Sequence, residues 1–144
     1  MSLEILPVWK NVTPELSSQL IAMWARNHAL PDPTKAAERA QQAVAVGRDT
    51  ETGAIWGVGT AVLGVMPSFG QPTYLYRQFF DVGARGLKQT MPFINRARDT
   101  LEAYNAWLPK PESVGVMFEL QNDALSERYR DLYQPEARAH FIGW

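Results

Sequence analysis

Two apolar runs of strand length stand on either side of one long amphipathic pattern, and that order limits the fold more than any other feature of the chain. The first run, Thr73 to Val82 (TYLYRQFFDV), is rich in β-branched and aromatic residues and reads as a central strand. After a turn, Phe93, Ala97, Leu101, Tyr104 and Leu108 recur at steps of 4, 4, 3 and 4, which is one face of a helix. Lys110-Pro111 ends that helix, and Ser113 to Leu120 (SVGVMFEL) is the second run. Strand, helix and strand in one sheet imply a parallel pair joined by a right-handed crossover.

The rest of the chain is built around this unit. Leu3 to Val8 is a loosely alternating strand, and Thr13-Pro14-Glu15 is a helix start, with Thr as cap, Pro at the first helical position and Glu at the positive end of the dipole. Leu16, Leu20, Met23, Trp24 and Asn27 follow at helical spacing until Leu30-Pro31. Asp32-Pro33 opens a second, short, alanine-rich helix through Gln41. Ala43 to Arg48 and Ile55 to Val65 form a hairpin around the polar turn Asp49 to Gly53. Gly57, Gly59 and Gly64 in its second strand signal a bulge or a close approach. Beyond Leu120, Asn122-Asp123 caps a last helix bearing Leu125, Tyr129 and Leu132, Gln134-Pro135 closes it, and Ala137 to Trp144 reads as one terminal strand. The expectation is a single α/β domain over residues 1–144, a mixed sheet flanked by helices.

Composition removes several classes of function. A net charge of −1 leaves no excess of cations for a polyphosphate strand, so nucleic acid is not an expected partner. The chain has no cysteine, which excludes thiolate nucleophiles and Cys-ligated zinc, and its two histidines, His28 and His140, have no ligand-like spacing, so no metal is expected. The N-terminus lacks the pattern of a signal peptide and no segment approaches about 18 uninterrupted apolar residues, so the expected location is cytoplasmic, away from membrane. His28, at a helix C-terminus, reads as a capping residue, whereas His140 is either a base or a solvated side chain.

The turn after the central strand is Arg85-Gly86-Leu87-Lys88-Gln89-Thr90. In element order and at this turn the chain resembles the GCN5-related N-acetyltransferase family. There, a turn of pattern Arg/Gln-x-x-Gly-x-Gly/Ala and the N-terminus of the following helix hold the pyrophosphate of acetyl-CoA with unpaired backbone N–H groups. Arg85 and Gly86 fit, and Lys88 and Thr90 stand where the glycines belong. Pro92 is tolerated only in the first turn of a helix, so the helix is expected to begin near Thr90 as cap rather than at Gly86. The turn therefore either holds phosphate, with Arg85 and Lys88 adding direct charge, or is a plain strand-to-helix connection.

The resemblance implies more. Acetyl-CoA would lie along Phe79 to Val82, with its thioester carbonyl on backbone donors such as those of Phe80 and Val82, and its pyrophosphate at Arg85, Gly86, Leu87, Lys88, Gln89 and Thr90. Asn122 and Tyr129 match a family pair spaced seven residues apart, in which the tyrosine protonates the departing thiolate. Tyr129 is otherwise an amphipathic helix residue packing its ring on the sheet. Asp81 and Glu119, at the ends of their strands, are either acceptors for the amine proton or solvated carboxylates. Tyr74, Tyr76, Phe79 and Phe80 build core on both faces of their strand, or one face joins Trp24 and Trp56 around an acceptor. The chain is short of the family's final hairpin, which leaves a sheet edge open to a second protomer or another partner. Two functions follow: acyl-CoA-dependent transfer of an acetyl group to a small-molecule or protein amine, or a non-catalytic binding or structural protein with an eroded cofactor site, as in small proteins of tailed bacteriophages.

Overall fold

The structure, a computed structural model, describes residues 2–65, 67, 70–118, 133–134 and 139–140. The chain runs β1 (Leu3–Pro7), α1 (Pro14–Arg26), α2 (Pro33–Gln41), β2 (Ala43–Asp49), β3 (Ile55–Val65), β4 (Pro72–Phe80), a 3-10 turn (Val82–Ala84), α3 (Thr90–Trp107) and β5 (Val116–Phe118). The sheet order is β1-β2-β3-β4-β5, antiparallel from β1 to β4 and parallel between β4 and β5. The expected α/β mixed sheet flanked by helices is thus present, with the crossover through α3. Among the described residues no helix is long and apolar enough to cross a membrane.

Both short helices start as their sequences dictate. Thr13 Oγ1 accepts from the Leu16 amide at 3.2 Å, and Asp32 Oδ1 accepts from Thr34 at 2.9 Å, each with proline next in the chain. α1 and α2 cover one face of the sheet through Leu16, Leu20, Met23, Trp24, Ala36 and Ala40, packed on Val46 and Val58. α3 covers the other through Phe93, Ile94, Ala97 and Leu101. His28 does cap α1, but with its backbone: at φ 55° it takes the left-handed position that follows many helices, and its amide donates to Ala25 O.

Gly57 and Gly59 of β3 make room for rings rather than for another backbone. Tyr74, Tyr76 and Phe80 of β4 lie on the α3 face, while Phe79 packs against the α1 and α2 cluster, so this aromatic set builds core on both faces. A Cβ on Gly59 would overlap the Tyr76 ring and hydroxyl, and one on Gly57 would come within 2.7 Å of Phe80. Trp56 stands as the extra residue of a bulge, opposite Gly47 and Arg48, and stacks edge-on against Phe93 at 5.7 Å between centroids.

The connection into β5 is stitched by one side chain. Asn105, near the end of α3, accepts from the amides of Glu112 and Ser113 at 2.8 and 3.1 Å and donates to Ser113 O. Ser113 Oγ in turn accepts from the Tyr74 amide and donates to Gly115 O. These bonds take up Ser113 to Gly115, so β5 begins at Val116 rather than at Ser113. Where the sequence suggests one closing strand, Tyr133–Gln134 pairs antiparallel with Ala139–His140, a two-rung ladder separate from the five-stranded sheet.

The ring packing sets a measurable contrast. Gly59→Ala is expected to lower stability by about 1–3 kcal/mol in urea denaturation, because Tyr76 is only 3% exposed and cannot move aside. Gly64→Ala meets only the mobile end of Leu75 and is expected to cost under about 1 kcal/mol; equal costs at the two positions would refute the packing argument.

Candidate functional site

The site is built where β4 ends. Pro72 O and the Tyr74 N–H face β5, accepting from Val114 and donating to Gly115 at 2.9 and 3.0 Å, whereas the Asp81 N–H donates to Trp56 of β3 at 2.8 Å. Alternation along the strand therefore turns the amides of Gln78 and Phe80 toward the β5 side. The described β4–β5 ladder has its last rung at Tyr76↔Phe118, so both amides lie beyond it. Of the two thioester donors expected, Phe80 keeps this orientation. Val82 does not, because β4 stops at Phe80 and the Val82 amide donates to Asp81 Oδ1 at 3.0 Å.

Asp81 is fully engaged. It caps the 3-10 turn, forms an ion pair with Arg26 Nη2 at 2.8 Å and accepts from Asn27 Nδ2 at 2.8 Å. The Arg26 contact, then the Asn27 and Val82 bonds, hold its carboxyl below the usual carboxylate range against the opposing effect of burial. A carboxylate stabilised in this way is a poor proton acceptor. Through these bonds Asp81 ties the C-terminus of α1 to the end of β4, across 55 residues of sequence.

The turn beyond it is partly consumed and partly open. Ala84, Arg85 and Leu87 donate their amides to Asp81, Val82 and Ala84 within the turn. Gly86 and Lys88 both have positive φ, 87° and 58°. The lysine thus adopts the backbone conformation for which the family pattern uses glycine, at a cost of about 1–2 kcal/mol. α3 begins at Thr90 as Pro92 requires, with Gln89 rather than Thr90 as its N-cap. That cap makes no side-chain hydrogen bond to the helix, since Gln89 Nε2 donates to Leu87 O instead. The amides of Lys88, Gln89, Thr90 and Met91 have no acceptor among the described residues. Arg85 folds back, its Nε donating to Phe80 O at 3.2 Å and its guanidinium lying over Phe79. Lys88 is exposed.

On the α1 and α2 face, an open cleft of about 310 Å³ reaches the same end of β4. Trp24, Leu30 and Phe79 supply apolar wall, and Thr60, Arg39 and Arg77 supply polar groups. Trp24 and Phe79 thus line a cavity as one sequence alternative has it, while Trp56 is buried against Phe80 and Phe93 on the other face. Arg39 and Arg77 were not legible as site residues, although the alternation of β4 does put Arg77 on the face of Phe79. Glu119, Asn122 and Tyr129 lie outside the described residues.

The Asp81 cluster predicts an acid-sensitive difference. The folded pKa is depressed, so the stabilisation is fully present above the unfolded value of about 3.9 and is lost as pH falls through the folded value. Asp81→Asn is expected to be less stable than the parent by about 1 kcal/mol near neutral pH, with the gap closing below about pH 4 in urea titrations at several pH values. A gap independent of pH would show that the carboxylate charge is not what holds the cluster.

No protein-family model and no curated protein sequence matches the chain. Solved structures do match in shape. An acetyltransferase from Trypanosoma brucei aligns with a TM-score of 0.60 at 16% identity, over 99% of this chain and 97% of its own. Glucosamine-6-phosphate N-acetyltransferase from Arabidopsis thaliana aligns at 0.56 and 10% identity, over 90% and 89% of the two chains. Ribosomal-protein-alanine N-acetyltransferase from Brucella melitensis biovar Abortus 2308 aligns at 0.56 and 15% identity, over 99% and 93%. The fold of this chain is that of the GCN5-related N-acetyltransferases.

Proposed function

We propose that this chain is an acyl-CoA-dependent N-acyltransferase that moves an acetyl group to an amine. The observation that carries the reading is the left-handed backbone of Lys88 followed by an uncapped helix: four successive amides without described acceptors, next to two exposed cations, suit a pyrophosphate. The fold shared with acetyltransferases supports it.

Acetyl-CoA fits this arrangement if Arg85 moves. Its bond to Phe80 O is a surface contact worth about 1 kcal/mol, and a phosphate oxygen would be a stronger partner for the guanidinium. Phe80 O would then be open to an amide donor of the ligand, and the Gln78 and Phe80 N–H groups would face the thioester oxygen as charge gathers there. In the reaction the neutral amine nitrogen attacks the thioester carbon, a C–N bond forms, the C–S bond breaks, and the sulfur leaves with a proton. Tyr129 is proposed as the donor of that proton. With Asp81 held by Arg26 and Asn27, Glu119 is left to take the proton released by the amine, directly or through water.

Two measurements test this. Acetyl-CoA at a hundred times its Kd is expected to raise the melting temperature by about 5–10 °C, and Lys88→Glu to abolish the rise. The variant keeps a non-glycine residue at the strained position, so its own stability should match the parent; an undiminished shift in it would place the cofactor elsewhere. Tyr129→Phe is expected to lower kcat about 100-fold or more in a thiol-release assay with KM for acetyl-CoA unchanged. Full activity in that variant would remove the acid role.

A further inference from the structure

Among the described residues, the cleft beside β4 is lined by two cations and no anion. Arg39 reaches it from α2 and Arg77 from β4, where Arg77 lies directly across from Thr60 of β3. Among the described residues, none that lines the cleft is acidic. Arg26, also at this end of the sheet, has its carboxylate in Asp81, while Arg39 and Arg77 have no ion-pair partner among the described residues. We propose that Arg39 and Arg77 form an anion subsite in the acceptor cleft, and that the amine acceptor therefore carries a phosphate or carboxylate. This rests on the acyltransferase reading only for the word acceptor; the anion subsite itself does not require turnover.

The physical argument is one of unrelieved repulsion. Burial, and then the neighbouring Arg77 charge, pull the Arg39 pKa below its ordinary value, so each guanidinium raises the free energy of the other across the cleft. An anion placed between them removes that repulsion and gains charge-assisted hydrogen bonds with the planar donor geometry that arginine offers. Thr60 adds a hydroxyl from the facing strand. The apolar wall of Trp24, Leu30 and Phe79 lowers the local dielectric and strengthens these contacts relative to an open surface. Because the cleft borders Gln78 and Phe79, an acceptor anchored there by its anion would direct its other end toward the end of β4.

The test has two arms on the full chain. In the first, without acetyl-CoA, thermal melts are run with inorganic phosphate and with succinate. Either anion is expected to raise the melting temperature of a Lys88→Glu chain, in which the other proposed anion site is disabled, and to leave the same chain carrying Arg39→Gln or Arg77→Gln unmoved. Both variants should melt no lower than the parent in anion-free buffer, because each removes a like-charge contact. In the second arm, phosphoethanolamine, β-alanine and uncharged ethanolamine are compared as acceptors. Arg77→Gln is expected to raise KM for the anionic amine by about 10- to 100-fold with kcat little changed, and to leave ethanolamine unaffected. A larger effect of phosphate than of succinate, carried through to phosphoethanolamine over β-alanine, identifies phosphate as the source; the reverse order identifies carboxylate. Protection by anions that both variants retain would overturn the subsite. Protection lost in the variants, with no acetyl transfer to any amine, would keep the subsite and defeat the acyltransferase reading instead.

Discussion

The hydrogen-bonding parity of β4 decides where everything else can be. It pairs with β3 at nine positions, and because the backbone groups of its odd-numbered residues face β3, those of its even-numbered residues must look toward β5. The same alternation, applied to side chains, sends Tyr74, Tyr76 and Phe80 under α3 and Arg77 and Phe79 under α1 and α2. A slip of one residue in the register would exchange these sets, putting an arginine under α3 and aromatic rings in the cleft. The rings of Tyr76 and Phe80 prevent that slip, because each lies over a glycine of β3 that has no equivalent one position away. Packing on one face thus fixes the chemistry available on the other.

The Asn105 and Ser113 network completes the constraint from the other side of β4. Five of its bonds are to backbone groups of the connection into β5, and one reaches the Tyr74 amide of β4 itself. The start of β5 is therefore anchored to the start of β4, at the end of the sheet away from the candidate site. Toward the other end, the Gln78 and Phe80 amides of β4 lie past the last described rung of that ladder.

Much of this was legible from local patterns. Thr13-Pro14 and Asp32-Pro33 act as caps because capping needs only neighbouring residues, and Pro92 fixes the start of α3 for the same reason. The left-handed backbone of Lys88, by contrast, carries no signal in the residue type, since lysine takes this conformation rarely. What was missed depends on pairs distant in sequence. Asp81 read as a carboxylate at a strand end; the partners that neutralise it, Arg26 and Asn27, are more than fifty residues away and carry no local signal. Arg39 sits in a short alanine-rich helix with no motif around it, and its meaning comes only from Arg77 across the cleft. The length of β5 escaped for a similar reason, since SVGVMFEL is apolar throughout and only the Asn105 side chain decides that its first residues serve as a loop.

Charge then organises the molecule more than its net value suggests. A chain with a net charge of −1 offers no general attraction to anions. Yet around the end of β4 the cations divide by role: Arg26 is matched with Asp81 and holds the scaffold, while Arg85 and Lys88 flank the open amides on one side and Arg39 and Arg77 share the cleft on the other. Without the Asp81 pair, Arg26 would add a fifth positive charge to the same region and compete for any anion that entered. Neutralising it keeps the two cationic groups separate, each within about a Debye length of its own opening, so that a polyanion at the helix and a smaller anion in the cleft would meet different fields. The Arg26–Asp81 ion pair is in this sense what lets the remaining four cations discriminate.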